Sequence, residues 1–211
     1  MKIDRLERNP GVEFQLDIFS NIKINRSSVE QRCAEYSKRR SIKKDKQAAW
    51  LLKVLTLIDL TTLSGDDTNA RVRRLCRKAI NPINSVLKSR LSIDSLNIKT
   101  AAVCVYHEML SEASKQLKSS GVHLAAVSTG FPAGLSPLPL RIEEIKYSVA
   151  AGADEIDIVI SRRHVLEGNW KALYDEVKSF REACGDAHLK TILATGELGN
   201  LTNIAKAAQV C

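Results

Sequence analysis

No apolar run in the 211 residues approaches the ~20 needed to span a bilayer. Met1 to Asn9 is charged and lacks the apolar core of a secretory leader, so secretion is not expected. No C-x-x-C occurs. The cysteines, Cys33, Cys76, Cys104, Cys184 and Cys211, are odd in number and scattered. That pattern argues against a disulfide framework or a zinc site and for reduced thiols in the cytosol. His107, His123, His164 and His188 show no metal-ligand spacing, which disfavours a metal-dependent lyase. No G-x-G-x-x-G follows an apolar run, which weakens a dinucleotide-binding reading. RNA-binding aromatic motifs and zinc-finger spacings are absent too.

What the chain does have is enough apolar material, 44% of residues, for one large domain or two small ones. The net charge of +8 is uneven. Residues 1–100 hold 21 Lys and Arg against 11 Asp and Glu, and residues 101–211 hold 11 against 13. Much of the excess lies between Arg32 and Lys53, including Lys38-Arg39-Arg40 and Lys43-Lys44. Such a stretch is either a solvated helix face or a surface for nucleic acid or another anionic partner. With no nucleic-acid motif beside it, the solvated face is preferred.

Taken in order, Asn9-Pro10-Gly11 signals a turn, and a short helix is expected around Phe14 to Phe19. Ser27-Ser28 could cap a helix from Val29 to Arg40, and Gln47 to Lys53 reads as further helix. The first strand is expected over Leu55 to Leu60. Gly65-Asp66-Asp67 then offers a turn and cap before Val72, Leu75, Cys76 and Ala79 at helical spacing. Strands over Thr100–Tyr106, His123–Thr129, Asp154–Ile160 and Leu189–Ala194 follow, each succeeded by a helical pattern. Helix starts are expected near Asn169 and near Asn200 or Thr202. Five strand-then-helix units imply parallel strands with right-handed crossovers. An open doubly wound sheet and part of a (β/α)₈ barrel both fit that order.

The stretch Asp154-Glu155-Ile156-Asp157-Ile158-Val159-Ile160 places acids inside an apolar strand. Side chains alternate, so Glu155, Asp157 and Val159 share one face. A buried acid takes up a proton more readily unless a cation or donors hold it, which makes Asp157 a candidate proton carrier. Lys190 lies in the apolar strand Leu189 to Ala194 and could pair with Asp157, as could Asp59. In a barrel, Asp59, Thr61, Thr62, Cys104, Thr129, Asp157, Lys190 and Thr195 would converge on one mouth. A mouth with a cation and acids can bind a carbonyl compound and move protons on it. The competing reading is a set of buried ion pairs that only fills a barrel interior. Cys104, with no histidine beside it in sequence, reads as a small buried hydrophobe rather than a nucleophile.

Five segments coincide in order: Ile58-Asp59-Leu60-Thr61-Thr62-Leu63, Thr100-Ala101-Ala102-Val103-Cys104-Val105-Tyr106, Gly130-Phe131-Pro132, Glu155-Ile156-Asp157-Ile158-Val159, and Leu189-Lys190-Thr191-Ile192-Leu193-Ala194-Thr195-Gly196-Glu197-Leu198. Together they resemble the deoxyribose-phosphate aldolase family over roughly residues 40 to 211. Gln47-Ala48-Ala49-Trp50-Leu51-Leu52-Lys53 is similar to its animal-type members. The resemblance implies an α/β fold, the (β/α)₈ TIM barrel, with about five of the eight units present. It divides the chain into a basic helical extension, 1–45, and a partial barrel, 46–211. It also implies reversible cleavage of 2-deoxyribose 5-phosphate to glyceraldehyde 3-phosphate and acetaldehyde through a lysine Schiff base, without metal or cofactor. By the same resemblance Asp157 is the proton-relay aspartate and Lys190 a lysine of the active-site network. Cys104 lines the substrate pocket, and Asp59 and Thr61 are substrate-site residues. The partners implied are a sugar phosphate and aldehydes, in a cytosolic homodimer without membrane or nucleic-acid binding.

The family carries its Schiff-base lysine in a sixth-strand Lys-Thr-Ser-Thr-Gly-Lys segment and a second lysine in a seventh-strand Lys-Pro-Ala-Gly-Gly segment. The 211 residues contain neither. His107 stands where proline is common, and Ser161 where asparagine is frequent. The expectation is a fragment of an aldolase. The alternatives are an inactive truncated product that associates with a full-length subunit, and an anionic-partner binder using the basic N-terminal region. An unclosed barrel leaves strand edges open, so poor solubility or oligomerisation is expected of this chain alone.

Overall fold

The computed structural model describes residues 11–39 and 42–211. The stretch Met1 to Asn9, most of the turn expected at Asn9-Pro10-Gly11, and Arg40 at the end of the expected helix lie outside the described residues. The elements are α1 (Leu16–Ser20), α2 (Arg26–Tyr36), α3 (Lys44–Leu55), β1 (Asp59–Thr61), α4 (Asn69–Ile80), α5 (Ser85–Arg90), β2 (Ala102–Tyr106), α6 (Leu110–Leu117), β3 (His123–Ser128), α7 (Leu138–Ala150), β4 (Glu155–Val159), α8 (Arg162–Leu166), α9 (Trp170–Ala183), β5 (His188–Ile192) and α10 (Leu201–Val210).

Local hydrogen bonding explains where these bounds depart from the sequence expectation. Leu55 ends a helix rather than opening a strand. Thr56 donates its N–H and its hydroxyl to the Lys53 carbonyl, at 3.0 and 2.7 Å, and the Leu57 N–H reaches Val54, so the helical turn persists to the edge of β1. Asn25, not Ser27 or Ser28, caps α2 by accepting from the Ser28 N–H at 3.1 Å. Thr68, rather than Asp66 or Asp67, caps α4. The starts expected at Asn169 and Asn200 are observed, each side chain accepting from a backbone N–H three residues on.

All strand pairs are parallel, and the sheet order is β1-β2-β3-β4-β5. A doubly wound sheet reverses its strand order partway, placing helices on both faces. Here the order never reverses, which is the winding of a (β/α) barrel. The main core lies between one sheet face and the helices. Val103, Val105, Leu124, Ala126, Ile156 and Ile158 meet Val72, Cys76, Leu110, Ala113, Ile145, Leu173 and Phe180 there. The opposite face carries a much smaller apolar cluster, Ala102, Cys104, Ala125 and Val127, bordered by Tyr106, Phe131 and Ile192. The charged side chains of the strands lie beside that second cluster. Residues 11–22 pack back on the main core. Phe19 is buried, Phe14 stacks on it and tilts against Tyr174 of α9, and the Tyr174 hydroxyl donates to the Val12 carbonyl.

Candidate active site

Alternation puts Asp59 of β1, Cys104 of β2, Glu155 and Asp157 of β4, and Lys190 of β5 on the face turned away from the helices. The β4–β5 register pairs Asp157 directly with Lys190. Lys190 Nζ lies 2.5 Å from Asp59 Oδ2, 2.9 Å from Glu155 Oε2 and 3.0 Å from Asp157 Oδ1. One ammonium thus serves three carboxylates contributed by β1 and β4. Closing that distance across the sheet requires the curvature of a barrel rather than a flat sheet.

The charges do not share the cation equally. Burial opposes the charge on Lys190, but its bonds to Asp59 and Glu155 and the nearby Asp157 outweigh that, and its pKa is raised. At about 3–4 Å each charge pair is worth ~4 kcal/mol at an effective permittivity of ~20, so several carboxylates overcome the desolvation of a partly exposed ammonium. Burial also opposes the charge on Glu155, yet Lys190 and His123 together hold its pKa below the ordinary range. Asp157 goes the other way. Burial dominates, the Asp59 charge adds to it, and the pull of Lys190 does not compensate, so the Asp157 carboxyl is raised. Lys190 Nζ stands 3.0 Å from Asp157 Oδ1. The other oxygen accepts from Cys104 Sγ at 3.6 Å. Burial, with the Asp157 charge beside it, pushes the Cys104 thiol up to about 12, so it stands as a neutral donor rather than a nucleophile.

Of the expected site residues, Asp59, Cys104, Asp157 and Lys190 converge. Thr61 does not join them; its hydroxyl donates to the Asp59 carbonyl at 2.8 Å and the residue is exposed. Two members were not expected. Glu155 contacts Lys190, and the His123 ring Nδ1 lies 2.8 Å from Glu155 Oε1. Glu155 was within reach of the sequence, since it shares the Asp157 face by simple alternation. His123 needed the β3–β4 register, in which Ala125 faces Glu155, and no pattern along one strand reveals it.

A second network fixes the ends of β3 and β4 next to this cluster. Arg141 of α7, 2% exposed, donates to the Thr129 carbonyl, the Val159 carbonyl, Ser161 Oγ and Glu176 of α9. Glu176 in turn accepts from the Ser161 N–H and hydroxyl. Ser161, one of the two departures from the family pattern, is therefore part of the brace. The other, His107, stands 3.4 Å from Glu144, whose second oxygen accepts from the Gly130 N–H at the start of the Gly130-Phe131-Pro132 turn. Among the described residues no three His, Cys, Asp or Glu side chains are grouped as metal ligands. Nor is any helix among them long and apolar enough to cross a membrane.

Comparison with known proteins agrees with this fold. The family model described as DeoC/LacD family aldolase matches residues 53–211. Deoxyribose-phosphate aldolase of Mus musculus is 55% identical over 202 residues, 95% of this chain, and that of Homo sapiens is 52% identical over 204 residues, 96% of it. The chain spans 64% of the length of each of these two relatives. Among solved structures, QR15, an aldolase, superposes with a TM-score of 0.61 at 25% identity, covering 75% of this chain and 62% of its own. The tetrameric deoxyribose phosphate aldolase of Aeropyrum pernix superposes with a TM-score of 0.53 at 23% identity, covering 75% of this chain and 61% of its own, a likeness of fold. A five-stranded, singly wound sheet with lysine and carboxylates on its inner face, matched by that family model over three quarters of its length, identifies this chain as belonging to the DeoC/LacD aldolase family.

Proposed function

We propose that this chain supplies the acid–base half of a deoxyribose-phosphate aldolase site. The reaction is the reversible cleavage of 2-deoxyribose 5-phosphate to glyceraldehyde 3-phosphate and acetaldehyde. The observation that carries the reading is the half-buried Asp157 carboxyl, 3.0 Å from Lys190 Nζ and in contact with the Cys104 thiol. An aldol cleavage needs a group that removes the proton of the C3 hydroxyl as the C2–C3 bond breaks, and the same group can return a proton to C2 of the resulting enamine. A carboxyl that takes up a proton more readily than an ordinary one can do both. Lys190 holds its proton too firmly to attack a carbonyl, so its role here is electrostatic. The Schiff-base lysine is the one the family carries on its sixth strand. Cys104, as a neutral donor, orients Asp157 and lines the pocket, and Asp59 anchors Lys190. Thr61 is proposed as a substrate-site residue from the family resemblance, although its hydroxyl is turned to its own strand here. The assembly inferred is a cytosolic homodimer, on the same resemblance.

The test is a chimera in which this chain is continued by the part of the mouse relative that lies beyond the matched stretch. The chimera should release acetaldehyde from 2-deoxyribose 5-phosphate. Borohydride added during turnover should trap a single lysine adduct, located by mass analysis. A folded chimera that neither cleaves the sugar phosphate nor forms an adduct would overturn the reading.

A further inference from the structure

One histidine is tied into the charge cluster from the far end of the sheet. His123 opens β3, at the strand end opposite the mouth, with 44% of its side chain exposed. Its Nδ1 lies 2.8 Å from Glu155 Oε1, while Glu155 Oε2 lies 2.9 Å from Lys190 Nζ. From Lys190 the contacts run on to Asp59 at 2.5 Å and Asp157 at 3.0 Å, and from Asp157 to Cys104 at 3.6 Å. A continuous line of polar contacts therefore connects His123 at the start of β3 with Asp157.

We propose that His123 is a positioning residue for Lys190, acting through Glu155, and that its protonation sets how the Lys190 ammonium is shared among the three carboxylates. This rests on the reading of Lys190 and Asp157 as the pair that handles protons in the aldol reaction. Glu155 as a carboxylate only accepts, so Nδ1 donates to it whether the ring is neutral or charged. Protonation adds a full positive charge beside Oε1 and draws the carboxylate's charge away from Lys190. The ammonium then turns towards Asp59 and Asp157, and Asp157 is more readily ionised. Loss of the ring proton returns Glu155 to Lys190 and weakens the hold on Asp157. The other groups that face Glu155 and Lys190 are Asp157 on β4, Asp59 on β1, Cys104 on β2 and His188, which lies opposite Glu155 in the β4–β5 register.

The test follows the Lys190 13Cε resonance, assigned with a Lys190→Arg variant, across pH 5 to 8 in the intact chain labelled at lysine and histidine. Lys190 should show an inflection at the midpoint of the His123 ring titration. The His123→Gln and Glu155→Gln variants should lose it, and the His188→Gln variant should retain it. No inflection in the parent chain, or one that survives in either the His123 or the Glu155 variant, would overturn the proposal. Should Glu155→Gln fail to fold, seen as collapsed methyl dispersion, His123→Gln decides alone, since that half-exposed ring can be replaced without a cavity. The readout needs no turnover. A chimera without aldolase activity therefore counts against the functional reading, and an absent inflection counts against this coupling.

Discussion

Asp157 differs from Asp59 and Glu155 in how little compensates its burial. Asp59 has a 2.5 Å bond to Lys190, and Glu155 has both Lys190 and His123, whereas Asp157 has Lys190 at 3.0 Å and otherwise only a thiol. Its carboxyl 13C titration should therefore fall above the ordinary 3.8, and a midpoint at or below that value would contradict the assignment. The sign follows for stability. A carboxyl raised on folding favours the folded chain most below the unfolded midpoint, and that contribution is lost as pH rises through the folded one. Cys104 gives a second check. With its thiol pushed up to about 12 and the residue buried, iodoacetamide at neutral pH should label exposed Cys33 well before Cys104, by peptide mass analysis. Labelling of the two at equal rates would show an accessible thiolate at Cys104. At this scale the sequence makes Asp157 legible, because an acid among Ile156, Ile158 and Ile160 is conspicuous. It hides His123, whose partner lies 32 residues away on a neighbouring strand.

At the scale of elements, the strands are legible where short apolar runs lie between turn signals, as in β2 to β5. The first is not, because Val54 to Leu60 is apolar except for Thr56 and Asp59 and fits a helix end as well as a strand. Helices α5 and α8, of six and five residues, are too short to show a period. The Arg141–Glu176 brace is invisible in sequence for a different reason. Each residue sits on a helix, α7 or α9, where an exposed charge is ordinary, and only packing shows both to be buried. Removing one partner of such a pair strands the other without compensation, at a cost of about 3–5 kcal/mol. Glu176→Ala should lower the unfolding free energy in urea by about that much, whereas a loss below ~1 kcal/mol would show the brace to be solvated. The same variant should loosen the ends of β3 and β4, since Arg141 would lose the carboxylate that holds it against the Thr129 and Val159 carbonyls.

The molecule as a whole is a curved sheet covered by helices on its outer face, with β1 and β5 as its two edges. The inner face has a small apolar cluster beside the Lys190 carboxylates, and α3 exposes Trp50, Leu51 and Val54, followed by exposed Leu57. Open parallel edges and exposed apolar surface favour association. Sedimentation velocity of the 211-residue chain should show species larger than a monomer that increase with concentration. A single monomer boundary throughout would mean that these surfaces are better protected than they look. The charge pattern fits the same picture. Among the described residues, the basic side chains of α2 to α4 lie outside the Lys190 cluster, whose excess is acidic. The central claim is that Asp157 moves the proton in aldol cleavage. It is tested most directly by the turnover number of the mouse-continued chimera on 2-deoxyribose 5-phosphate, with and without Asp157→Asn. Loss of general acid–base catalysis should lower kcat by about 10²- to 10⁴-fold while the borohydride adduct still forms. An Asp157→Asn chimera that turns over within about twofold of its parent, a change worth under ~0.5 kcal/mol in the barrier, would contradict the claim.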